Sequence, residues 1–190
     1  MITPINYGYF TNFLTVNSCQ TIIQTGKKNL TDGKTWGQDQ QKQRKSKISW
    51  MNDFHLGQIL YSQVQQANAQ LLWNLQTTAI ESLQFTSYGE GDFYDWHRDD
   101  NIDKFGKGYL EGLVRKISFS ILLNDTAEYE GGDFQFELGN PNDKDRIKTL
   151  DKSAQGGAIV FPSFFHHRVK PVTKGTRYSL VGWVCGQPWK

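Results

Sequence analysis

Short apolar and aromatic runs dominate the chain after Ala79 and limit the folds that are open to it. Clusters of Gly, Asn, Asp and Pro separate these runs, as they separate the strands of β-rich proteins. No helical pattern lies between them, which indicates a sandwich or a barrel. The runs read ESLQFTSY, RKISFSILLN, GDFQFEL, GAIVFPS and RYSLVGWV.

Helices are predicted before this β-rich part. Residues 13–25 suit a short helix, and in residues 55–73 apolar side chains recur at three- and four-residue steps, as on a helix face packed against a sheet. The chain has 190 residues, the size of one domain. We therefore expect a single mainly β domain in which residues 1–78 give helical and loop support and residues 79–186 form the core.

Two polar segments are predicted to be loops. Residues 32–47 are basic and almost free of apolar side chains, and they form either a solvated surface excursion or a lid over a substrate groove. Residues 101–112 form a second candidate loop. Two such loops could clasp an extended chain.

Charge and cysteine content exclude several classes of function. The formal net charge is +2, so nothing global favours nucleic acid or an anionic membrane. Cys19 and Cys185 lie far apart, without metal-ligand spacing or a disulfide framework, which fits a reducing compartment. No segment reads as a signal peptide or a membrane span. A soluble, cytoplasmic protein is expected.

The segment YGEGDFYDWHRDD, residues 88–100, carries the first candidate metal ligands. His97 and Asp99 are two residues apart, so on an extended strand both side chains leave the same face. An imidazole and a carboxylate placed side by side can occupy adjacent positions on one metal ion. A lone His-x-Asp is weak evidence, because such tripeptides are common. The GEG of residues 89–91 lacks the context of a dinucleotide-binding loop.

The segment FPSFFHHRVKPVTKGTRYSLVGWV, residues 161–184, offers a pair of histidines and then Arg177. A third ligand from this pair would complete two histidines and a carboxylate, the set that leaves non-haem Fe(II) open for a cosubstrate and O₂. Zinc more often has four protein ligands or activates water. An arginine inside a β-core needs an anion, which a dicarboxylate would supply, whereas an arginine at a strand end can simply be exposed.

Taken together, these motifs resemble the prolyl 4-hydroxylase-like 2-oxoglutarate oxygenases. The family pattern is Y-x-x-G-x-x-Y-x-x-H-x-D, then R-x-x-S/T and L-N, a Gly-Gly segment, G-x-x-x-x-F-P, and H-x-V-x-P-V-x-x-G-x-R before a Trp. The matching residues are Tyr88, Gly91, Tyr94, His97, Asp99, Arg115, Ser118, Leu123, Asn124, Gly131, Gly132, Gly157, Phe161, Pro162, His167, Val169, Pro171, Val172, Gly175, Arg177 and Trp183.

This resemblance implies a double-stranded β-helix, a cupin-like jelly-roll whose two sheets enclose iron. It implies Fe(II), 2-oxoglutarate as cosubstrate and O₂, with stimulation by ascorbate. His97, Asp99 and His167 match the catalytic metal ligands, and Arg177 matches the residue that pairs with the far carboxylate. Tyr88 matches a tyrosine near the cosubstrate. Three further residues match positions at the substrate entrance: Arg115, Tyr94 and Trp183.

Further residues in these motifs refine the assignment of the site residues. The H-x-V-x-P-V register selects His167 over His166, which on a strand would face the other way as a satisfied or second-shell histidine, and Asp100 is expected to be a turn residue. Relatives carry a cosubstrate-binding tyrosine where this chain has Leu122, and a hydroxyl from Ser120 or Ser179 could replace it. Halogenating relatives lack the carboxylate that Asp99 provides, so hydroxylation is favoured.

The resemblance leaves the substrate open. The leading hypothesis is 4-hydroxylation of a prolyl residue in a peptide or protein, with release of succinate and CO₂, by a monomer or weak dimer that binds neither nucleic acid nor membranes. The alternative is a hydroxylase of a free amino acid or other small metabolite: a long open groove at the mouth of the site favours the first, and a closed pocket favours the second. A catalytically silent β-sandwich used for binding is a remote third.

Overall fold

A computed structural model describes residues 5–34, 43–100, 105–140 and 142–189. Two α-helices, α1 (Val16–Gly26) and α2 (Phe54–Gln70), lie in the first half of the described chain. The strands are β1 (Gly8–Phe10), β2 (Thr31–Asp32), β3 (Arg44–Lys45), β4 (Lys47–Met51), β5 (Ala79–Ile80), β6 (Leu83–Tyr88), β7 (Phe93–His97), β8 (Val114–Leu122), β9 (Tyr129–Gly131), β10 (Phe134–Glu137), β11 (Ile147–Thr149), β12 (Ala158–Pro162), β13 (His166–Val169), β14 (Val172–Gly175) and β15 (Arg177–Gly186).

The helices begin where side-chain caps satisfy their first free backbone N–H groups. The Thr15 hydroxyl accepts a hydrogen bond from the Ser18 N–H at 3.1 Å, and the Asp53 carboxylate accepts one from the Leu56 N–H at 2.9 Å. Such caps are worth about 1 kcal/mol each. Each cap therefore fixes the point at which a polar connection turns into a helix.

Two antiparallel sheets form the framework. The strand order in the larger sheet is β1-β12-β8-β15-β6-β4-β2, with β5 added on β15. The order in the smaller sheet is β11-β10-β13-β7-β3, and β9 pairs with β14. The long strands β8 and β15 lie side by side at the centre of the larger sheet, so the residues on their two faces decide where the cores form.

Alternation along these strands produces two hydrophobic cores. Ile117, Phe119 and Ile121 of β8 point to the face that α1 and α2 cover, in a cluster that also contains Leu60 and Val64 of α2. Burying one such side chain contributes about 1.5–3 kcal/mol. The intervening residues of β8 point into the space between the sheets. A second cluster lines that space; it includes Tyr88, Leu122, Tyr129, Phe134, Phe136, Phe161 and Val172.

The helices and the long strands fall where the sequence predicts them, but the first 78 residues contribute more than support. Strands β1 to β4 all lie in this part of the chain and join one or the other sheet. They are two to five residues long. A strand of two or three residues shows no recognisable alternation, so most of these strands could not be predicted from the sequence.

The two predicted loops are only partly described. Strands β2, β3 and the start of β4 occupy both ends of residues 32–47, so this loop is shorter than expected, and residues 35–42 lie outside the described part. In the second loop, residues 101–104 lie outside it as well. From Phe105 onward the chain turns back on itself and buries Leu110 beside Cys185. A lid function for either loop stays a prediction. Within the described ranges, no helix is long and apolar enough to cross a membrane.

Candidate active site

Two histidines face each other across neighbouring strands of the smaller sheet. His97 ends β7, and His167 lies in β13 directly opposite it in the antiparallel register. Their ring centroids are 4.1 Å apart, and both side chains are almost completely buried. The strand pairing, rather than a loop, therefore sets the distance between the two imidazoles.

Asp99 completes a cluster with these histidines, although it lies beyond the end of β7. Its backbone N–H donates to the Ser163 carbonyl at 2.9 Å, which anchors the turn. The carboxylate oxygens lie 3.7 Å from Nε2 of His97 and 3.5 Å from Nε2 of His167. The potential ligand atoms of all three residues lie within 4.8 Å of one another. The sequence predicted this proximity from strand alternation, and β7 itself ends at His97, two residues before Asp99.

Backbone carbonyls fix the tautomer of both imidazoles. Nδ1 of His97 lies 2.7 Å from the Asp95 carbonyl, and Nδ1 of His167 lies 3.0 Å from the Phe165 carbonyl. A carbonyl oxygen can only accept a hydrogen bond, so each Nδ1 carries the proton. Each Nε2 therefore presents a lone pair to the cluster, as is typical of metal-binding histidines.

The charges of the cluster suit a cation. Burial, reinforced by neighbouring His167, lowers the pKa of the His97 imidazole to about 3, so it is neutral at pH 7. Burial acts to raise the pKa of the Asp99 carboxyl, but the two histidines and Arg115 outweigh it and hold that pKa below its usual value. A neutral imidazole and a buried carboxylate are poised to bind a metal without first losing a proton.

Arg177 is buried at the start of β15, with 5% of its surface exposed. It pairs in register with Tyr88 of β6 and lies 5.8 Å above that ring. Its Nη1 donates to Ser179 Oγ at 3.2 Å. Among the described residues, no carboxylate oxygen lies within 4.0 Å of a guanidinium nitrogen of Arg177, so it forms no ion pair with them. A buried guanidinium without an anion is costly, so this position is suited to an anionic ligand.

Tyr129 is a residue near this arginine that the sequence analysis missed. Burial raises the pKa of its hydroxyl, and neighbouring Arg177 opposes that rise. Tyr129, Leu122 and Arg177 line a small cavity together. The hydroxyl next to the guanidinium thus comes from β9 instead of from position 122. Tyr129 follows the short helical turn Thr126–Glu128, and no spacing in the sequence connects it with Arg177.

One pocket is lined both by the histidine cluster and by Arg177. Its wall includes eight of the nine residues predicted for the site: Tyr88, Tyr94, His97, Asp99, Ser120, His167, Arg177 and Trp183. Within it, the Tyr94 ring stacks on the His97 ring with a centroid distance of 3.5 Å. One pocket is therefore lined by the cluster, by Arg177 and by most of the aromatic residues that the motifs contribute.

Arg115, the ninth residue, lies behind this wall. Its guanidinium donates to both carboxylate oxygens of Glu81, at 2.6 and 2.8 Å, and lies 3.8 Å above the Trp183 ring. The ion pair anchors Arg115, and Arg115 in turn covers one face of the indole. Arg115 is therefore placed to orient Trp183 in the cavity wall.

The remaining neighbours of the cluster point elsewhere. His166 is exposed, and its Nδ1 lies 3.3 Å from the Glu137 carboxylate, so its side chain has a partner at the surface, away from the cluster. Arg98 donates to both carboxylate oxygens of Asp100. The strand register thus separates His167 from His166 as the sequence motif predicted.

Arg44 is a second buried arginine in the cavity wall and was also missed. It lies in β3 opposite Tyr94, with 7% of its surface exposed. In the sequence it follows a long run of polar and basic residues, which predicts a solvated loop. Only the two-residue strand that pairs with β7 turns this side chain inward.

Comparison with known proteins identifies the family. The family described as the 2OG-Fe(II) oxygenase superfamily matches residues 83–185, more than half of the chain. The chain belongs to this superfamily. The matched residues include the histidine cluster, Tyr88, Arg115 and Arg177 but not Arg44. The sequence-based assignment to the 2-oxoglutarate oxygenases is confirmed.

Curated members of the superfamily include similar proteins described as PKHD-type hydroxylases. The one from Picosynechococcus is 34% identical over 135 residues, which are 70% of this chain and 55% of that protein. The one from Idiomarina loihiensis is 30% identical over 127 residues, 67% of this chain and 52% of that protein. The chain thus spans about half the length of the curated relatives it matches.

Solved structures of oxygenases show the same fold. A viral collagen prolyl hydroxylase from Paramecium Bursaria Chlorella virus-1 superposes with a TM-score of 0.71 at 18% identity, covering 96% of this chain and 97% of that one. A prolyl-4-hydroxylase from Pseudomonas putida gives 0.69 at 21% identity, covering 96% and 94%. The predicted jelly-roll is therefore confirmed.

The donor set of this oxygenase fits the Fe(II) that its superfamily uses together with 2-oxoglutarate and O₂. Two imidazoles and one carboxylate converge on one point, which is the ligand set of non-haem Fe(II) sites with open positions. The buried Arg177 in the same cavity suits the second carboxylate of 2-oxoglutarate. Both cofactors thus find matching groups in this chain.

Proposed function

We propose that this chain is an Fe(II)- and 2-oxoglutarate-dependent hydroxylase, in which His97, Asp99 and His167 hold the iron. The observation that carries the proposal is that one pocket is lined by this cluster and by the buried Arg177, which pairs with no carboxylate among the described residues. When bound, the iron supplies O₂ activation, which couples the conversion of 2-oxoglutarate to succinate and CO₂ to hydroxylation of an unactivated C–H bond.

The protein residues supply binding, orientation and a dry environment. Arg177 binds the far carboxylate of 2-oxoglutarate through charge-assisted hydrogen bonds, supported by Ser179 and by the Tyr129 hydroxyl. Tyr88 packs beside it, and Ser120 offers a further hydroxyl from the adjacent strand. The Nδ1 hydrogen bonds hold both imidazoles in the orientation that binding requires.

The substrate side of the cavity is proposed to lie at Tyr94 and Trp183, with Arg115 supporting the indole. The leading candidate substrate is a prolyl residue in a peptide or protein. This choice is supported by the relatives, since a prolyl hydroxylase from Trichoplax adhaerens, 18% identical and with a TM-score of 0.63, was solved with a peptide fragment of hypoxia inducible factor. A free amino acid or other small metabolite is the second candidate, favoured by the largely buried side chains that line the pocket.

The test measures succinate formation from 2-oxoglutarate with Fe(II) and ascorbate, with and without proline-containing peptides. We expect turnover that requires iron, that disappears in His97→Ala, and that a suitable peptide increases while gaining one oxygen atom by mass spectrometry. Absence of both iron binding and 2-oxoglutarate turnover would overturn the proposed chemistry. Turnover that no peptide increases would instead overturn the prolyl substrate alone.

A further inference from the structure

Arg44 places a positive charge in the cavity wall, and its own contacts there are with neutral groups. Its Nε donates to Ser46 Oγ at 2.7 Å, and one of its terminal nitrogens donates to Gln84 Oε1 at 2.9 Å. Its guanidinium lies 4.6 Å above the Tyr94 ring. Within residues 5–34, 43–100, 105–140 and 142–189, no carboxylate oxygen lies within 4.0 Å of a guanidinium nitrogen of Arg44, so it forms no ion pair there.

The other arginines of the site show what such a charge requires. Arg115 meets the Glu81 carboxylate in a two-pronged ion pair, and Arg177 is assigned to the cosubstrate. Arg44 has five N–H donors, of which the two described bonds use two. A buried cation with unused donors that borders a cavity is stabilised when the cavity receives an anion.

Arg44 and Arg177 contact opposite ends of the inner face of β6. Arg177 pairs with Tyr88, whereas Arg44 binds Gln84, four residues earlier. At about 3.3 Å per residue, these two strand positions are about 13 Å apart. The five-carbon chain of 2-oxoglutarate spans at most about 6 Å between its terminal carbons. A cosubstrate bound by Arg177 and the histidine cluster therefore leaves Arg44 available for another molecule.

Trp183 provides an independent sign of a ligand near this end of the cavity. The indole is 5% exposed and lines the same cavity, and its Nε1 is buried without a hydrogen-bond partner in the described structure. An unsatisfied buried donor costs about 1–3 kcal/mol. Val181, two residues before Trp183 in β15, pairs with Gln84, the residue that Arg44 binds. The indole and Arg44 therefore lie near the same end of the pairing between β15 and β6.

We propose that Arg44, positioned by Gln84 and Tyr94, binds a carboxylate of the primary substrate, and that the Trp183 N–H donates to an acceptor on the same molecule. This inference rests on the proposed function. The carboxylate belongs either to a free amino acid or to a peptide, at its C-terminus or in an acidic side chain next to the oxidised residue. It makes Arg44 a specificity-determining residue encoded outside residues 83–185, the segment that matches the superfamily.

The test is calorimetric titration of the iron- and 2-oxoglutarate-loaded protein under anaerobic conditions. The probes are the twenty L-amino acids, glycyl-L-proline, and N- and C-terminally blocked peptides with Asp or Asn beside proline, each carboxylate being compared with its amide. We expect at least one carboxylate to bind about tenfold more tightly than its amide, as for a hydrogen bond to a charged group. The probe that does so identifies the source of the carboxylate.

Variants then assign the preference to Arg44. Arg44→Gln should abolish the preference for the acid over the amide, and Arg44→Lys should retain part of it. The affinity for 2-oxoglutarate should change less than threefold in both variants. Lys45→Gln is the matched control, because Lys45 is adjacent in β3 but lies on the surface beside Asp92; it should bind every probe as the wild type does.

Three outcomes would overturn the proposal. They are binding of none of the carboxylates, equal binding of acids and amides to the wild type, and a loss of 2-oxoglutarate affinity alone in Arg44→Gln, which would assign Arg44 to the cosubstrate. The comparison of acid and amide uses the wild-type protein, so it shows whether the site recognises a carboxylate even if a variant does not fold. Failure of the proposed function is distinguishable, because it appears as absent iron binding and absent 2-oxoglutarate turnover in the wild type.

Discussion

His97 and His167 are direct register partners in the antiparallel pair β7–β13, and their imidazoles approach each other at the centre of the smaller sheet. Because hydrogen bonds between the strands fix this pairing, the distance between the two Nε2 atoms is set when the sheet forms. Asp99 then needs only one turn of chain, anchored on Ser163, to reach both rings. The cluster is thus a product of sheet register.

Replacement of Asp99 by Ala should abolish metal binding while the fold persists. The variant removes the acidic member of the cluster and leaves two imidazoles. Loss of a residue that only supports a ligand lowers metal affinity about 10- to 100-fold, so loss of Asp99 itself should lower the affinity for Fe(II) by more than that. Anaerobic titration with Fe(II) measures this. His166→Ala is the control, since His166 faces solvent beside Glu137 and should bind iron normally. Equal losses in the two variants would refute the ligand assignment.

Replacement of Arg177 by Gln should weaken 2-oxoglutarate binding specifically. A charge-assisted hydrogen bond contributes about 1.5–3 kcal/mol, which corresponds to a rise of about 10- to 150-fold in the KM for 2-oxoglutarate. Steady-state succinate formation measures it. Arg146→Gln serves as the control, because Arg146 only pairs with Glu137 at the surface. An unchanged KM in Arg177→Gln would remove Arg177 from the cosubstrate site.

Tyr129→Phe should reveal whether Tyr129 supplies the cosubstrate-binding hydroxyl that relatives have at the position of Leu122. The change removes one hydroxyl beside Arg177 and keeps the ring packed in the inner core. A neutral hydrogen bond is worth about 1 kcal/mol, so the KM for 2-oxoglutarate should rise about fivefold. Ser120→Ala and Ser179→Ala, measured in parallel, test the two hydroxyls that the sequence suggested. If only the serine variants respond, Tyr129 has no part in binding.

The two cysteines should resist alkylation in the native protein. Burial raises the pKa of the Cys19 thiol to about 11 and that of the Cys185 thiol to about 12. Only the thiolate reacts, so at pH 8 the reactive fraction is about 100-fold lower for Cys19 and about 1000-fold lower for Cys185 than in an unperturbed thiol, and neither residue is exposed. Iodoacetamide followed by mass spectrometry should find no label on the folded chain and two after denaturation. Rapid labelling of native protein would contradict this burial.

The sequence predicted the elements whose signals are local and strong. The helix around residues 55–73 repeats its apolar residues over four turns, and β8 and β15 are long enough to show their apolar composition. The motif spacing also predicted which of the two adjacent histidines, His166 and His167, turns inward. These features depend on periodicity or on residue order, both of which can be read without a structure.

The parts that were missed depend on contacts between distant segments. Arg44 reads as one more charge in a basic run, and only its pairing with Tyr94 in β3–β7 makes it a buried residue. Tyr129 reaches Arg177 because β9 pairs with β14 and brings two remote turns together. Asp99 lies beside His97 as strand alternation predicted, but β7 ends at His97, and the bond from the Asp99 N–H to the remote Ser163 carbonyl has no signal in the sequence. Such contacts have no period in the sequence.

The carbonyl groups that hold the two imidazoles belong to the main chain at Asp95 and Phe165. Every amino acid supplies the same carbonyl, so no exchange of a side chain deletes either bond. Natural variation can therefore accumulate at both positions without a compensating second mutation. Lineages that diverge widely around this site should inherit the same ring orientation, whatever residues their genes specify there.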